Sequence, residues 1–553
     1  MDRAQLRSPW LRLHYHPARI LSPPSRLLVP ALIDRDEPRF AQATVEMMDS
    51  GSWVIPTFNG AYRFDKPPLT YWLMRGGYAL FGISELGARL HSIVFAVGTA
   101  LLLLAMGREF LSLKAGFYAA LAWLTCLQVS IHGRLSLADM PMIFFVCLAQ
   151  WMILRLLSRK EFKPWSSSYW ILYASLTLGF LAKGPIAWVV PLITVLLWWL
   201  FSGRQPLALR RLQLPSGLLL CLLGLSLWGL PALLQTQGAY WDSGMGDHVI
   251  KRGATALNGR IPLPFYYFIS CWISLFPWCG LLIPLTPLLR KTKDPVLLFA
   301  LAWCLAPVLI FTFYATQLPH YILPGFPGFF LLVGWFLAQK LESVWLSRLA
   351  LGLFSLVTLA ALFLLTKPMG LLLAGVLLAL LCLLAGMCLV ALAFPHRLSL
   401  RLPAGLALIV IGGFLLGSSF RPLSPIVALK PVFEKINPAS PVKPLSMKFH
   451  EPGLVFYSGQ AWDLVADDAF LRERGPQEQA PLFLLPALEI RTDQLLRDSL
   501  PAVPEPTLFD DYQHRRVVGV NFARASWVVL DAYWRDWEEP AAGLRAAEPN
   551  NKP

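Results

Sequence analysis

The chain has 553 residues, of which 56% are hydrophobic and only 15% are charged, and its net charge is +15. A soluble domain usually carries about 25% charged residues, so this composition excludes an ordinary soluble protein and indicates an integral membrane protein. The basic residues are scattered and no nucleic-acid-binding motif is present, so we expect no nucleic-acid partner.

The N-terminal segment, residues 1–30, is basic and poorly suited to crossing a bilayer. It contains five arginines, and the apolar stretch 20–33 is short, carries Arg26 and is interrupted by three prolines. A membrane-spanning helix needs roughly 20 consecutive apolar residues, and proline breaks helices. We therefore expect that a first transmembrane helix is missing or degenerate in this sequence.

Residues 31–85 form a charged segment directly before the apolar part of the chain. Charges beside a bilayer are costly unless they face water, pair with one another or hold a ligand. Residues 38–49 are predicted to form an amphipathic helix, Asn59-Gly60 a turn, and Lys66-Pro67-Pro68 an extended entry into the next helix. We interpret the segment as an external loop that acts on something charged at the membrane surface.

Apolar segments of about 20 residues dominate positions 86–420. A helix needs this length to cross a hydrocarbon core about 30 Å thick. We predict a polytopic, mostly α-helical transmembrane bundle from twelve such segments, which are 89–106, 115–131, 139–157, 169–182, 185–202, 215–236, 264–288, 295–314, 319–338, 343–365, 370–394 and 402–420.

The basic residues of the loops indicate which helix ends face the cytoplasm. Alternate loops carry sixteen lysines and arginines, whereas the opposite loops carry six, namely Arg134, Lys183, Lys251, Arg252, Arg260 and Lys367. Because basic loops stay in the cytoplasm, residues 31–85, the loop 237–263 and the tail after 420 are predicted to be external. Membrane topology explains most of the positive charge. Each of the six exceptions either pairs with lipid headgroups or binds an anion.

Residues 421–553 differ in composition from the apolar part and are rich in proline and charge. They contain four strand-like apolar runs, at 454–457, 482–485, 517–520 and 527–530. We predict a small external domain of mixed α/β structure, which ends in a frayed tail over 538–553.

A series of motifs in a fixed order resembles a known family. The sequence resembles the bacterial integral-membrane glycosyltransferases that use polyprenyl-phosphate sugars, which include the lipid A aminoarabinose transferases and are related to the protein O-mannosyltransferases. The resemblance covers roughly residues 31–340. Its motifs are Asp36-Glu37-Pro38-Arg39-Phe40, Gly51-Ser52-Trp53-Val54-Ile55-Pro56, Phe58-Asn59-Gly60, Phe64-Asp65-Lys66-Pro67-Pro68-Leu69, Asp139 in LADMPM, Lys183-Gly184-Pro185 and Leu318-Pro319-His320-Tyr321-Ile322-Leu323-Pro324.

The resemblance implies a GT-C fold of about thirteen helices with an external C-terminal domain; the twelve segments found here agree with a missing first helix. It also implies a multi-pass enzyme of the bacterial inner membrane. Such an enzyme moves a sugar or aminosugar from a polyprenyl phosphate, such as undecaprenyl phosphate, to a lipid A-like or other lipid or glycan acceptor at the external face. Direct displacement would invert the anomeric centre. No soluble nucleotide-binding domain is found, so no nucleotide cofactor is expected.

Two carboxylates are candidate catalytic residues. Glycosyl transfer needs a carboxylate that orients or deprotonates the acceptor oxygen. The resemblance implies that Asp36 has this role, although an aspartate before Pro38 is also a good helix N-cap. Asp139 begins a predicted transmembrane helix, where it needs no role beyond capping, but its motif implies a second carboxylate of the active site.

Five basic residues are candidates for holding the donor phosphate, whose negative charge grows as the sugar leaves. Arg39 has the planar fork that suits phosphate, and Lys66 would act as a point charge. The alternative for both is a plain ion pair. Lys183 ends an apolar helix, where it either binds the phosphate or extends towards the lipid headgroups. Arg252 and Arg260 lie in the long external loop and complete the set.

The resemblance also implies a divalent metal, either Zn or Mg/Mn, at Asp65 and His320. Asp65 replaces the glutamate that is more usual in the aminoarabinose transferases, and Arg63 stands where they often have an aromatic residue. Two ligands do not define a zinc site, and a single histidine beside a helix start is commonly only hydrogen-bonded.

Two other classes of protein remain as alternatives. Twelve helices suit a transporter or flippase of lipid-linked sugars, but transporters usually place their charges near the bilayer midplane on broken helices. A non-catalytic surface-binding protein would not need acidic residues beside Lys66. The position and chemistry of the charges favour the glycosyltransferase.

Overall fold

A computed structural model of the chain describes residues 30–339, apart from 34, 159–160, 162, 204–208, 252–262 and 277. It also describes residues 424–536, apart from 437–439, 441, 466–480, 492–511 and 522–525. Contacts group the described residues into two compact units: residues 30–32 and 39–339 form a helical unit, and 33–38 join the residues from 424 onwards. The predicted spans 343–365, 370–394 and 402–420 lie outside the described residues, as do nearly all of the segment 1–30 and the tail 538–553.

The helical unit consists of apolar helices joined by short loops. Backbone groups within hydrocarbon must be satisfied inside the segment, which is why long apolar runs fold as helices. Ser84, Ser112 and Asp294 cap three of them, each accepting a hydrogen bond from a backbone amide of the first turn. The helices are Glu37–Asp49, Leu69–Phe81, Glu85–Phe110, Leu113–Thr125, Leu127–His132, Asp139–Ser158, Ser167–Lys183, Ile186–Phe201, Leu214–Gln235, Ala239–Trp241, Tyr266–Ser274, Leu282–Lys291, Pro295–Thr312 and Phe326–Ala338, with a π-helix at Asp242–Lys251 and 3₁₀ turns at Trp278–Leu281 and Pro319–Gly325.

Within the described residues, five helices are long and apolar enough to cross a membrane. They are Glu85–Phe110, Asp139–Ser158, Leu214–Gln235, Pro295–Thr312 and the segment Pro319–Ala338. Each of them coincides with a predicted span. The shorter helices Ser167–Lys183 and Ile186–Phe201 occupy two further predicted spans.

Two predicted spans are wrong as continuous helices. The segment 115–131 is divided into Leu113–Thr125 and Leu127–His132, because Cys126 adopts an extended conformation with φ −72° and ψ 135°. The segment 264–288 is divided among Tyr266–Ser274, a 3₁₀ turn and Leu282–Lys291. The two interruptions stabilise each other, since the Leu127 amide donates a hydrogen bond to the Phe276 carbonyl over 2.8 Å.

Small residues bring several helices into close contact. Gly107 and Gly116 face each other, and a Cβ atom added to either would overlap the backbone of the other helix. A Cβ added to Gly334 would overlap the Ala115 carbonyl oxygen and lie 3.0 Å from the Cβ of Ala119. Helices in membranes pack through such small residues, because contact between them must compete with equally apolar lipid tails.

The C-terminal unit contains a five-stranded mixed sheet. The strands are numbered in chain order, so β1 (Thr57–Phe58) and β2 (Ala61–Tyr62) are those of a separate short hairpin in the helical unit. The sheet has the order β4-β3-β5-β7-β6; β3 is parallel to β4 and β5, while β7 is antiparallel to β5 and β6. Its strands are β3 (Leu445–Met447), β4 (Asp463–Val465), β5 (Leu482–Arg491), β6 (Gln513–Asn521) and β7 (Ser526–Trp534).

One of the four predicted strands is wrong, whereas the other three are confirmed within β5, β6 and β7. The run 454–457 lies in the helix Gly453–Ser458, which follows Pro452 and ends at Gly459 with φ 69°. Proline before the first turn and a left-handed glycine at the end delimit a short helix. A short apolar run has no periodicity that separates such a helix from a buried strand.

A buried carboxylate ties β6 to β7. The Asp531 side chain is 2% exposed, and it accepts hydrogen bonds from Arg516 at 2.7 and 2.9 Å and from His514 Nε2 at 2.9 Å. Burial raises the pKa of Asp531, but the hydrogen bonds from Arg516 and His514 outweigh burial, and the pKa lies below its ordinary value. The ionised carboxylate therefore stabilises this part of the sheet.

Candidate active site

The hairpin at Asn59-Gly60 is held against the helix Glu37–Asp49. Both turn residues have positive φ, 55° and 79°. The Glu46 carboxylate accepts hydrogen bonds from the Asn59 amide at 2.7 Å and the Gly60 amide at 3.3 Å. The amphipathic helix and the turn predicted from the sequence are both confirmed, and one side chain of the helix fixes the turn.

Side chains of the next helix hold the preceding loop. Trp72 Nε1 donates a hydrogen bond to the Trp53 carbonyl at 2.8 Å, and Arg75 donates to the Ser52 carbonyl at 3.1 Å. The Arg75 guanidinium also lies 3.7 Å from the centre of the Trp53 ring, a cation–π contact. The family-like segment 51–56 thus has a defined path.

A later part of the chain fixes the other side of this loop. Trp228 Nε1 donates to the Val54 carbonyl at 2.9 Å, and the Tyr240 hydroxyl donates to the Lys66 carbonyl at 2.9 Å. Both contacts join residues that are 174 positions apart in the chain. Trp228 lies in the membrane helix Leu214–Gln235 and Tyr240 in the short helix Ala239–Trp241, so the position of Lys66 does not depend on the loop alone.

Asp65 forms an ion pair with Arg63, whose guanidinium lies 2.8 Å from the Asp65 carboxylate. Arg63 is buried, donates a hydrogen bond to the Tyr71 hydroxyl at 3.1 Å, and lies over the Phe40 ring at 5.1 Å. Arg63 therefore gives Asp65 a structural partner. Asp65 does not belong to the group of His and Asp side chains described below.

Asp139 and Lys183 form a buried ion pair between two helices. Asp139 begins the helix Asp139–Ser158, and Lys183 is the last residue of Ser167–Lys183. Lys183 Nζ lies 2.5 Å from Asp139 Oδ1, and the side chains are 17% and 6% exposed. Two candidates from separate motifs are therefore in direct contact.

Two histidines lie beside this ion pair. His132, Asp139 and His320 each offer one potential ligand atom, and these atoms lie within 4.8 Å of one another. The imidazole rings of His132 and His320 are 5.0 Å apart between centroids. The predicted residue His320 thus joins Asp139, and the positive charges of Lys183 and Lys66 both act on it.

His132 has one ring nitrogen engaged by its own helix. Its Nδ1 lies 3.2 Å from the Gln128 carbonyl oxygen and 3.1 Å from the Gln128 side-chain amide nitrogen. A proton on Nδ1 leaves Nε2 available as an acceptor or ligand. Burial lowers the pKa of His132 below its ordinary value, opposed by Asp139 and reinforced by Lys183, which favours the neutral imidazole that metals bind.

Of the four remaining candidate residues, the structure describes two. Arg39 is half-buried in the helix Glu37–Asp49. Asp36 is exposed in the turn before that helix and belongs with residues 33–38 to the other unit. Arg252 and Arg260 lie outside the described residues.

His132 was not among the candidates predicted from the sequence. It stands alone in the apolar stretch 127–139, and a single histidine in such a stretch is usually only hydrogen-bonded. The available signal was its position seven residues before Asp139, across the short connection that contains Gly133 and Arg134. That connection turns the chain so that both residues lie at the same end of the helices.

Comparisons with known proteins agree with the resemblance drawn from the motifs. Residues 65–228 match the family described as "Dolichyl-phosphate-mannose-protein mannosyltransferase". An "Uncharacterized protein" of Aquifex aeolicus (strain VF5) is 27% identical over 312 residues, which are 56% of this chain and 60% of that protein. The "Undecaprenyl phosphate-alpha-4-amino-4-deoxy-L-arabinose arabinosyl transferase" of Pseudomonas savastanoi pv. phaseolicola (strain 1448A / Race 6) is 29% identical over 298 residues, covering 52% of this chain and 54% of that protein.

The protein of the same name from Pseudomonas aeruginosa (strain UCBPP-PA14) is 30% identical over 318 residues, covering 56% of each chain. The chain thus spans about half the length of the curated relatives of this name. The crystal structure of ArnT from Cupriavidus metallidurans bound to undecaprenyl phosphate shares the fold, with a TM-score of 0.73 at 20% identity over 92% of this chain and 95% of that one. The predicted fold class and the predicted resemblance are therefore confirmed, and the protein is a multi-pass membrane protein.

Proposed function

We propose that the protein is a glycosyltransferase that moves a sugar from a polyprenyl-phosphate donor to an acceptor at the membrane surface. The observation that carries this proposal is the convergence of Asp139, Lys183, His132 and His320 at the start of a membrane helix. Buried charges at such a position are costly and are retained where they act on a ligand. The similarity to aminoarabinosyl transferases that use undecaprenyl phosphate supports the same donor class.

The reaction requires an attack by the acceptor oxygen on the anomeric carbon while the bond from that carbon to the phosphate breaks. Lys66, Lys183 and Arg39 are proposed to stabilise the charge that grows on the departing phosphate. Asp36 is proposed to orient the acceptor and take its proton, and Asp139 to position Lys183 through their ion pair. Arg252 and Arg260 remain further candidates for the phosphate.

The His–Asp group also fits a divalent metal. It offers two imidazole nitrogens and one carboxylate oxygen within 4.8 Å of one another, a donor set typical of zinc. His132 can hold its Nδ1 proton towards the Gln128 carbonyl, which is how metal-binding histidines are commonly oriented. We propose that His132, Asp139 and His320 hold the metal and that Asp65 positions the loop. A bound metal would supply positive charge for the phosphate.

The proposed location is the bacterial inner membrane, with the active site and the C-terminal unit on the periplasmic side. One set of loops carries sixteen basic residues and the opposite set carries six. Because basic loops stay in the cytoplasm, this difference supports the orientation. Candidate acceptors are a lipid A-like molecule, another lipid or a glycan. Comparing membrane lipids and glycans by mass spectrometry with and without the gene would identify the acceptor as the component that loses its sugar.

Sugar transfer in proteoliposomes tests the proposal. The purified protein is mixed with undecaprenyl phosphate-α-4-amino-4-deoxy-L-arabinose and lipid A, or with the acceptor found by mass spectrometry. Asp36→Asn should lower the transfer rate at least 100-fold, because general base catalysis contributes typically 10²–10⁴-fold. Asp139→Asn should also lower the rate, because it removes the partner that positions Lys183. Asp294→Asn is the matched control, since Asp294 also begins a membrane helix and asparagine remains a good cap.

The outcomes separate the proposed enzyme from a transporter of lipid-linked sugars. Loss of transfer with retained binding of undecaprenyl phosphate supports the enzyme. Movement of the intact lipid-linked sugar between leaflets, unchanged in both aspartate variants and without sugar transfer, would favour the transporter. Unchanged transfer by Asp36→Asn would remove Asp36 from the mechanism.

A further inference from the structure

A cleft lies at the opposite end of the same membrane helices from the proposed active site. It has a volume of about 510 Å³ and lies between the last turns of Glu85–Phe110 and Asp139–Ser158, next to the start of Leu113–Thr125. Asp139 and Arg155 are 16 residues apart on one helix, which corresponds to about 24 Å along its axis. The cleft is therefore close to the level of the headgroups of the other leaflet.

Part of the cleft is apolar and faces outwards. Leu101 and Leu113 are 60% and 61% exposed, and Leu104 lies one turn after Leu101 on the same face. Leu101 precedes Arg108 by seven residues and so lies about 10 Å deeper in the membrane. Exposed leucines at this depth contact lipid tails, because no water is available there.

The outer end of the cleft is polar and carries a net positive charge. Glu109 accepts hydrogen bonds from Arg155 Nε at 2.6 and 2.9 Å and from Trp151 Nε1 at 2.9 Å, and the Arg155 guanidinium lies 4.9 Å from the centre of the Trp151 ring. Arg155 and Glu109 neutralise each other. Arg108 is exposed on the same rim and, among the described residues, forms no ion pair.

We propose that this cleft binds an anionic phospholipid, with the phosphodiester at Arg108 and one acyl chain along Leu101 and Leu104. The Arg155–Glu109 pair fixes the wall, and Arg108 is the one basic residue among the described residues lining the cleft that has no ion-pair partner. Basic pockets between membrane helices on the cytoplasmic side recognise lipid headgroups in this way. This site is independent of the sugar-transfer activity proposed above.

Native mass spectrometry of the full-length protein in detergent tests the proposal. The protein is titrated with phosphatidylglycerol and, separately, with phosphatidylcholine of the same chain length. The wild type should bind one phosphatidylglycerol about fivefold more tightly than phosphatidylcholine, as expected for one basic residue at the phosphate. Arg108→Gln should abolish this preference. Arg290→Gln should keep it, because Arg290 is an exposed basic residue at the end of another helix and lies outside the cleft.

A second variant keeps the charge and fills the apolar part of the cleft. Leu101→Trp should weaken the binding of both lipids at least fivefold. Because the Leu101 side chain is exposed, this substitution should not unfold the protein, and a loss of binding would be due to the filled cleft. Equal losses in the Arg108 and Arg290 variants would show only diffuse attraction and overturn the proposal. Unchanged binding by Leu101→Trp, or full displacement of the lipid by free glycerol phosphate, would overturn it as well.

Discussion

Lys183→Met is expected to destabilise the helical unit strongly through its effect on Asp139. The ammonium and carboxylate atoms are 2.5 Å apart, and the side chains are 17% and 6% exposed. At an effective dielectric constant of about 20, two unit charges at this distance attract each other by roughly 7 kcal/mol. Desolvation offsets part of this attraction, and removing one partner of a buried pair typically costs about 3–5 kcal/mol.

A double-mutant cycle measures the coupling between the two residues. Unfolding in mixed detergent micelles gives the free energies of the wild type, Lys183→Met, Asp139→Asn and the double variant. Lys183→Met should cost about 3–5 kcal/mol, whereas Asp139→Asn should cost less, since the longer lysine can extend to water. The double variant should be more stable than the sum of the singles predicts, by at least about 2 kcal/mol.

The same variants separate stability from chemistry. The double variant should regain stability while its sugar transfer remains lost, because both charged groups are absent. Additive losses of unfolding free energy, within about 0.5 kcal/mol, would refute the ion pair as the reason for the coupling. Recovery of transfer in the double variant would show that the pair contributes only to folding.

Three further predictions concern other parts of the molecule. His320→Ala should lower the zinc content of the purified protein from about one equivalent to background, as measured by elemental mass spectrometry, whereas His450→Ala should leave it unchanged; equal contents would remove His320 from the metal site. Gly334→Ala should cost about 1–3 kcal/mol in the micelle assay, because its Cβ would overlap the facing helix, whereas Gly76→Ala has open space and should cost nothing. Asp531→Asn should lower the free energy of opening of β7 by about 2–4 kcal/mol, measured by hydrogen exchange of the full-length protein. Because the folded pKa of Asp531 is depressed, its contribution is present above about pH 4, the unfolded value, and should be lost as the pH falls through the folded pKa.

Within the described residues, hydropathy predicted where the membrane helices lie, but not where they are interrupted. The reason is visible at Cys126, where the chain leaves the helical conformation although the flanking residues are apolar. The freed Leu127 amide is satisfied by Phe276, which lies 149 positions later in the chain. A break that is stabilised by so distant a partner leaves no local signal in the sequence.

The candidate site could also be predicted only in part, because its contacts join distant parts of the chain. Asp139 and Lys183 were recognisable because charge is rare beside apolar segments, and His320 because it lies in one of the family-like motifs. The partner of each was not recognisable, since pairing depends on how the helices pack. Asp65 illustrates this limit, because its ion pair with Arg63 was not predicted from the sequence. His132 was missed because it lies outside those motifs and a single histidine is usually only hydrogen-bonded.

The charges at the two ends of the helix Asp139–Ser158 both agree with its dipole. An acidic residue in the first turn and a basic residue in the last turn are both favoured by the helix dipole, so Asp139 and Arg155 need no ligand to explain them. Lys183 is likewise favoured by the dipole of its own helix, Ser167–Lys183, whose last residue it is, and it pairs with Asp139 at the start of the neighbouring helix. Lys66 adds a second positive charge, and both lysines act on His320 beside Asp139. We therefore propose that the donor phosphate binds at this end of the helix, where the positive charges of Lys183 and Lys66 both act on His320.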